Sequence, residues 1–461
     1  MLTYLFYDVE TTGLNKAFDQ VLHFAAIRTD LNLVELERHD IKIKLNPDII
    51  PSPKAMITHH IGIQESQQGL PEVEAIKQIH QLLNTPGTIS LGYNTLGFDD
   101  EFLRFSFHRN LLPPYTHQYA NQCGRMDIYP IAIMYFLYQN QVINWPKKEG
   151  KTSLKLENIN ADNQFFNGRS HHAMVDVEVT LALAKKFFQE RKTWDYLTEY
   201  FNKPIDEKRS KNLTTLTGLM ISGKAGAKNA YQCPVFYLGN HRHYKNQTLW
   251  LRLDLENLAT TTMESIAETT WVIRKKLAEP GFIMPFDQKY LTHLSAERLS
   301  VVTANQQWLA KNSELLQHII QYHAEYKYPI YPDTDAEASL YLTGFLTFDE
   351  EQFCRKFHKA SPPEKARITE NLRSSKLKTL ATRVLGRHYF DSLSDQEKEE
   401  FTHHMQKIKH GMIDYKGQSR LTPEVALKEI DELRMQPELT VIQHDLLNEL
   451  ESYLKQRFLK P

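Results

Sequence analysis

Asp8 and Glu10 stand two residues apart at the end of an apolar run, residues 2–9, that reads as a strand closing in the turn Thr11-Thr12-Gly13. Strand side chains alternate between faces, so residues two apart project together and one face here carries two carboxylates. Such a pair could grip a hard cation, although a solvated strand end would carry it by composition alone. A second acidic group, Asp99-Asp100-Glu101, follows Asn94-Thr95-Leu96-Gly97-Phe98 directly after the apolar segment 88–93. Sites gather at such strand ends in α/β folds, while acids at a helix start also suit the positive end of the helix dipole. The third group is His171-His172-Ala173-Met174-Val175-Asp176, where the acid falls in the first turn of an amphipathic segment. A histidine there is by itself as well explained by capping or solvation. In one chain with four spaced acids it becomes a candidate proton acceptor.

Positioning these groups requires a scaffold. Val73, Ile76, Ile79 and Leu83 are spaced for a helix over 72–83, and Met174, Val177, Leu181, Ala184 and Phe188 for another over 173–188. Strands alternating with helices predict an α/β layered unit over residues 1–192. Across 193–347 short strand-like runs such as 247–255 alternate with turns, and few helical patterns occur, which predicts a smaller β-containing unit. From Phe348 to residue 461 helical periodicity dominates, with Thr422 placed to cap a helix that has Pro423 at its first position.

The 461 residues exceed what one core usually supports, so two to four domains are expected. Hydrophobic residues at 41% and charged residues at 24% describe a globular chain without low-complexity tracts. A net charge of -1 means that any contact with a polyanion must be locally basic. Cys123, Cys233 and Cys354 lie far apart without a CxxC pair, which argues against a disulfide framework or a structural zinc and suits a reducing cytoplasm. No export signal or membrane span is expected.

Asp8, Glu10, Asp99 and Asp176, with His171 five residues before the last acid, supply D-x-E, N-x3-F-D and H-x4-D in order. This set resembles the histidine branch of the DEDD 3′→5′ exonucleases. Within it the chain is most similar to the bacterial exonuclease I family, through residues 24–30, Gly92-Tyr93-Asn94, Phe98-Asp99-Asp100-Glu101 and Ile143-Asn144-Trp145-Pro146, and more faintly Leu340-Tyr341 with Gly344-Phe345. The resemblance implies a ribonuclease H-like exonuclease domain with a mixed sheet, an SH3-like domain and a helical C-terminal domain. It implies stepwise degradation of single-stranded DNA to 5′-mononucleotides in repair and recombination, by a monomer that docks on single-stranded-DNA-binding protein. Two magnesium ions about 4 Å apart, replaceable by manganese, would be held by Asp8, Glu10, Asp99 and Asp176, because hard cations prefer carboxylate oxygens. An imidazole titrates near about 6.5 and is suited to take a proton from water, which makes His171 the general base. The family usually has an acid after this histidine, and here the position is His172. Spacing to Asp176 favours His171, leaving His172 to solvent or the DNA backbone.

The same resemblance assigns strand contacts to Glu10, Asn94, Phe98, Arg104, Tyr115 and Tyr119, with Lys155 where an arginine is more common and Ile133 where another arginine usually stands. Tyr115 and Tyr119 are equally well read as loop packing. Basic residues at Lys203, Lys208, Arg209 and Lys211, at Lys224 and Lys228, in the segment 241–245, and between Arg373 and Arg387 could extend a path for phosphates or simply be solvated. Gly218–Ala225 nearly matches a phosphate loop, but Ala225 replaces the hydroxyl that binds magnesium, so nucleotide hydrolysis is not expected. The competing readings are an RNA-trimming or proofreading exonuclease of the same superfamily and a catalytically silent single-strand binding protein.

Overall fold

The computed structural model describes residues 1–213 and 215–459. Five strands, β1 (Thr3–Thr11), β2 (Val21–Thr29), β3 (Glu35–Lys42), β4 (Thr88–Leu91) and β5 (Gly124–Arg125), form a mixed sheet in the order β3-β2-β1-β4-β5. β1 pairs antiparallel with β2 and parallel with β4. Alternation along β1 sends Tyr4 and Phe6 to one face, packed on helices Ile128–Tyr138 and Ala173–Phe188. Leu5, Tyr7 and Val9 face the other way, onto helices Glu72–Leu83 and Asp99–Arg109. Covered on both faces, β2 is buried throughout, and its Phe24–Ile27 stretch is apolar without alternation.

Two strand limits differ from the sequence reading. β1 continues to Thr11, so both acids lie inside the strand and share its register instead of ending it. The apolar segment 88–93 leaves the sheet after Leu91, because Gly92 passes so close over β1 that a Cβ there would lie 2.4 Å from the Tyr7 carbonyl oxygen.

A short hairpin, β6 (Lys147–Lys148) with β7 (Lys151–Thr152), precedes the second sheet. That sheet comprises β8 (Thr217–Ile221), β9 (Gln232–Asn240), β10 (Gln247–Arg252), β11 (Val272–Lys276) and β12 (Phe282–Pro285), all antiparallel, in the order β11-β10-β9-β8-β12. Leu219, Ile221, Phe282 and Met284 belong to the same core as Tyr4 and Phe6, so the two sheets are joined by apolar packing. The phosphate-loop look-alike is β8 followed by a single 3-10 turn, Gly223–Ala225, and lacks the helix N-terminus that such a loop requires.

The stretch 193–347 is more helical than its sequence suggests, with helices Lys203–Lys211, Ala296–Lys311 and Ser313–Glu325. Helix Ala296–Lys311 fully buries only Val302, Asn305 and Leu309. Asn305 donates to the carbonyls of Leu253 and Leu255, so a polar residue occupies part of the stripe that would have announced the helix.

Beyond Phe348 the chain is helical, with capping boxes at Thr347, Ser394 and Thr440, and Thr422 capping the helix Pro423–Arg434. These helices fold back on the N-terminal unit, where Ile408, Ile430, Leu447 and Leu450 pack with Leu45, Ile49 and Met56. Arg383 and Arg387, in the stretch that could have extended a path for phosphates, are buried instead. Arg383 makes a two-pronged contact with Asp335 at 2.7 Å, and Arg387 reaches Asp48 and Glu337, both at 2.5 Å. His404 also contacts Asp48, at 3.1 Å. Neither arginine is free for a phosphate. Among the described residues no helix is long and apolar enough to cross a membrane.

Asp48 anchors this network from the N-terminal unit, and its removal leaves the buried Arg387 with Glu337 alone and the buried His404 without its carboxylate. Asp48→Ala is expected to cost about 3–5 kcal/mol, as removing one partner from a buried ion-pair network does. Chemical unfolding followed by the helical circular dichroism signal measures it.

Candidate active site

Asp8 and Glu10 project from β1 toward the helix Ala173–Phe188, whose first turn carries Asp176. Oxygens of these three carboxylates lie within 4.8 Å of one another. Asp99, at the start of its helix, completes the group from the other side of β1. Its Oδ1 accepts the Val9 amide at 3.1 Å, a bond across ninety residues of chain that fixes the helix to the strand bearing the acids.

The loop before Asp99 is shaped by Asp127, which the sequence reading missed. This buried N-cap of the helix Ile128–Tyr138 accepts the amides of Asn94 at 2.8 Å, Leu96 at 3.2 Å and Tyr129 at 2.9 Å. Asn94 takes a left-handed conformation, φ 65°, to reach it. Asp127 followed by Pro130 is a helix-start pattern, which was the available signal.

Asp8, Glu10, Asp99, Asp176, His171, Asn94, Phe98 and Lys155 all line one open cleft of about 1290 Å³. Leu14, 80% exposed despite being apolar, stands in it as well. Ser419 and Leu421 from the helical region form part of the opposite wall. His171 is exposed, has φ 59°, and turns its backbone amide toward the Asp176 carboxylate. His172 is absent from the cleft wall. Its ring packs edge-on against His23 at 5.3 Å between centroids, and His23 in turn pairs with Asp40.

Three expected strand contacts are not in the cleft. Arg104 is buried, held by Asp100 at 2.9 Å and by Glu101 at 2.5 Å, so its charge is already spent inside the protein. Tyr115 lies beneath that guanidinium and edge-on to Phe345. Tyr119 is 65% exposed but away from the acids. Ile133 is fully buried in the main core, where an arginine would have no partner.

With this geometry in place, two family matches decide the classification. A family described as Exonuclease matches residues 5–184, and one described as Exonuclease I C-terminal domain matches residues 334–457. The chain joins an exonuclease domain to an exonuclease I C-terminal domain. It is similar to exodeoxyribonuclease I of Escherichia coli (strain K12), 25% identical over 463 residues that cover 94% of this chain and 93% of that protein. A moderately thermophilic exonuclease I from Methylocaldum szegediense has the same fold, with a TM-score of 0.87 at 24% identity over 99% of this chain and 100% of that one. Escherichia coli exonuclease I in complex with a dA16 oligonucleotide gives 0.86 at 24% identity, covering 99% and 100%.

The electrostatics of this site are those of crowded acids. Burial, then Asp99, Asp176 and Glu10, push Asp8 well above the usual carboxylate range, and every charge acting on it is another carboxylate. Burial, then Asp176 and Asp99, raise Glu10 to about 8, with Arg169 only partly opposing. Burial also raises Asp99 to about 8 and Asp176 to about 7. Such a donor set fits a divalent cation, since oxygen ligands converge while no protein cation neutralises them.

A carboxyl whose folded-state pKa lies above its unfolded value near 4 destabilises the fold as pH rises through that interval. Metal-free protein is therefore expected to lose roughly 5 °C of Tm between pH 5 and pH 8.5. Magnesium should restore more at the upper end, because its ligands must shed protons to bind. Glu10→Gln should flatten the metal-free profile. Differential scanning fluorimetry with and without chelator measures all three, and a flat wild-type profile would contradict the electrostatic account.

Proposed function

We propose that the protein is a divalent-metal-dependent 3′→5′ exonuclease that removes 5′-mononucleotides one at a time from single-stranded DNA. The observation that carries this reading is the convergence of Asp8, Glu10 and Asp176, with Asp99 beside them, in a cleft large enough for a strand end. Magnesium ions held by these four side chains would offset their repulsion, activate water and stabilise charge on the leaving 3′ oxygen, and two ions match the number of acids.

His171 is the general base of the reading. It stands exposed on the cleft wall, whereas the His172 ring is engaged with His23, so His171 is the imidazole able to take the proton of the attacking water. Hydrolysis then breaks the bond between phosphorus and the 3′ oxygen, and the phosphate leaves on the 5′ side of the released nucleotide. Glu10, Asn94 and Phe98 receive the terminal nucleotide, with Phe98 and Leu14 offering faces to base and sugar. Lys155 meets a backbone phosphate as a point charge without a guanidinium fork.

The Escherichia coli relative bound to dA16 supports a single-stranded DNA substrate. Action as a monomer, docking on single-stranded-DNA-binding protein and a role in repair and recombination complete the proposal, supported by the similarity to exonuclease I.

The test incubates wild-type and Asp176→Ala protein with 5′-labelled single-stranded DNA and matching RNA, with magnesium or chelator, and follows product length over time. DNA is expected to shorten stepwise from its 3′ end with magnesium only, and Asp176→Ala to lose at least about 10³-fold in rate, since it removes a metal ligand. His171→Ala should fall by about 10²–10⁴-fold, and His172→Ala by much less. Faster loss of RNA would overturn the substrate assignment, and no cleavage of either would overturn the activity.

A further inference from the structure

The acids at the floor of the cleft repel the phosphates that the proposed activity must bring to them, so the walls must supply positive charge. Most of the cations lining the cleft are already engaged. Arg420 is buried and donates to the Asp48 carbonyl, and Lys54 pairs with Glu429 at 3.3 Å. Lys155 pairs with Glu157 at 3.6 Å, an exposed pair weak enough for the phosphate assigned to it above to displace. Lys148 and Lys151 remain. Both line the cleft, both are exposed, and among the described residues neither forms an ion pair.

These two lysines are direct cross-strand partners in the β6–β7 hairpin. Residues opposite each other in an antiparallel pair put their side chains on the same face, and like charges placed so are destabilising. The hairpin nevertheless adopts this register, fixed by a turn in which Glu149 and Gly150 both take positive φ, 51° and 75°. The other cross-strand pair is Lys147 with Thr152. Alternation along each strand separates Lys147 from the Lys148–Lys151 face, and Lys147 does not line the cleft.

The base of the hairpin is tied to the site. Tyr93, which precedes Asn94, donates its hydroxyl to the Leu154 carbonyl at 2.5 Å, and the Ser153 amide donates to the Pro146 carbonyl at 2.9 Å. Trp145, just before the hairpin, packs edge-on against Phe136 and donates to the Asn140 carbonyl at 2.9 Å. Two uncompensated charges are thus held on a rigid base facing the cleft that contains the acids.

We propose that Lys148 and Lys151 form a phosphate clamp that grips the sugar-phosphate backbone of the strand as its 3′ end enters the cleft. The ligand is a run of phosphodiesters, whose charge lies between the two ammonium groups and relieves their repulsion. The clamp rests on the exonuclease reading for its biological substrate, but its binding can be tested without turnover. Contacts to phosphate carry no sequence information, so the grip is the same for every nucleotide.

The experiment uses the full-length protein. Binding of a fluorescein-labelled dT oligonucleotide is followed by anisotropy in chelator across a salt series, and steady-state kinetics are followed in magnesium. For Lys148→Ala/Lys151→Ala, Kd and KM are expected to rise roughly tenfold with kcat unchanged. The slope of log affinity against log salt should become shallower by about 1.4, near 0.7 for each lysine lost on single strands. Lys147→Ala should leave affinity and slope at wild-type values. An unchanged Kd and slope in the double variant would overturn the clamp, as would an equal effect from Lys147→Ala, which would make the charge diffuse. A wild-type protein that binds DNA with the expected salt slope but fails to cleave it would defeat the exonuclease reading alone.

Discussion

Mutual repulsion among Asp8, Glu10, Asp99 and Asp176 is the constraint around which the rest of the structure is arranged. Left to themselves, four carboxylates would separate and hydrate. Here they are driven together by elements whose packing is decided elsewhere. The apolar faces of β1 bury Tyr4 and Phe6 on one side and Leu5, Tyr7 and Val9 on the other, and the acids are carried along by the same register. Asp176 follows from the burial of Val177, Leu181 and Ala184 on its helix. Hydrophobic area of this kind, at about 25 cal/mol per Å², is the only term large enough to hold several buried like charges in place.

Holding the acids is not sufficient, because they must also keep their orientation. The Val9 amide fixes Asp99, and Asp127 gathers three amides from the segment that leads into it. Asp100, next to Asp99 on the same helix, is buried against Arg104, Arg125 and His117, and these partners, against the cost of burial, keep it ionised. Adjacent acids therefore have opposite fates. Asp100 is matched by protein cations and is structural, while Asp99 has none and stays available to a ligand. Arg125 also reaches Glu279 at 3.3 Å, which links the support of the site to the second sheet.

The sequence exposed the chemistry better than the architecture that supports it. Asp8 with Glu10, and His171 with Asp176, are local patterns, so their common face follows from strand and helix periods alone. Arg104 shows the limit of that logic. It is a cation near the acids in sequence, yet its role depends on Asp100 and Glu101 turning inward, and no spacing reports that. Arg383 and Arg387 fail for the same reason, since their partners Asp335, Glu337 and Asp48 come from distant segments. The helix Ala296–Lys311 was hidden because Asn305 occupies a buried position through hydrogen bonds instead of apolar contact. In each case the missing information is a long-range partner.

Segregation of charge inside the cleft also explains how a chain with a net charge of -1 can accommodate a polyanion. The acids occupy the floor, where burial and mutual repulsion hold their pKa values high, and unpaired lysines occupy one wall. Several basic residues elsewhere are paired: Arg209 with Glu199 and two tyrosine faces, Lys211 with Glu207, and Arg242 with Glu325. A uniformly basic surface would bind a strand anywhere and leave its end to find the acids by chance. Lysines without an ion-pair partner on the cleft wall place a favourable potential beside the acids themselves, which is how focused fields raise local ligand concentration without raising net charge.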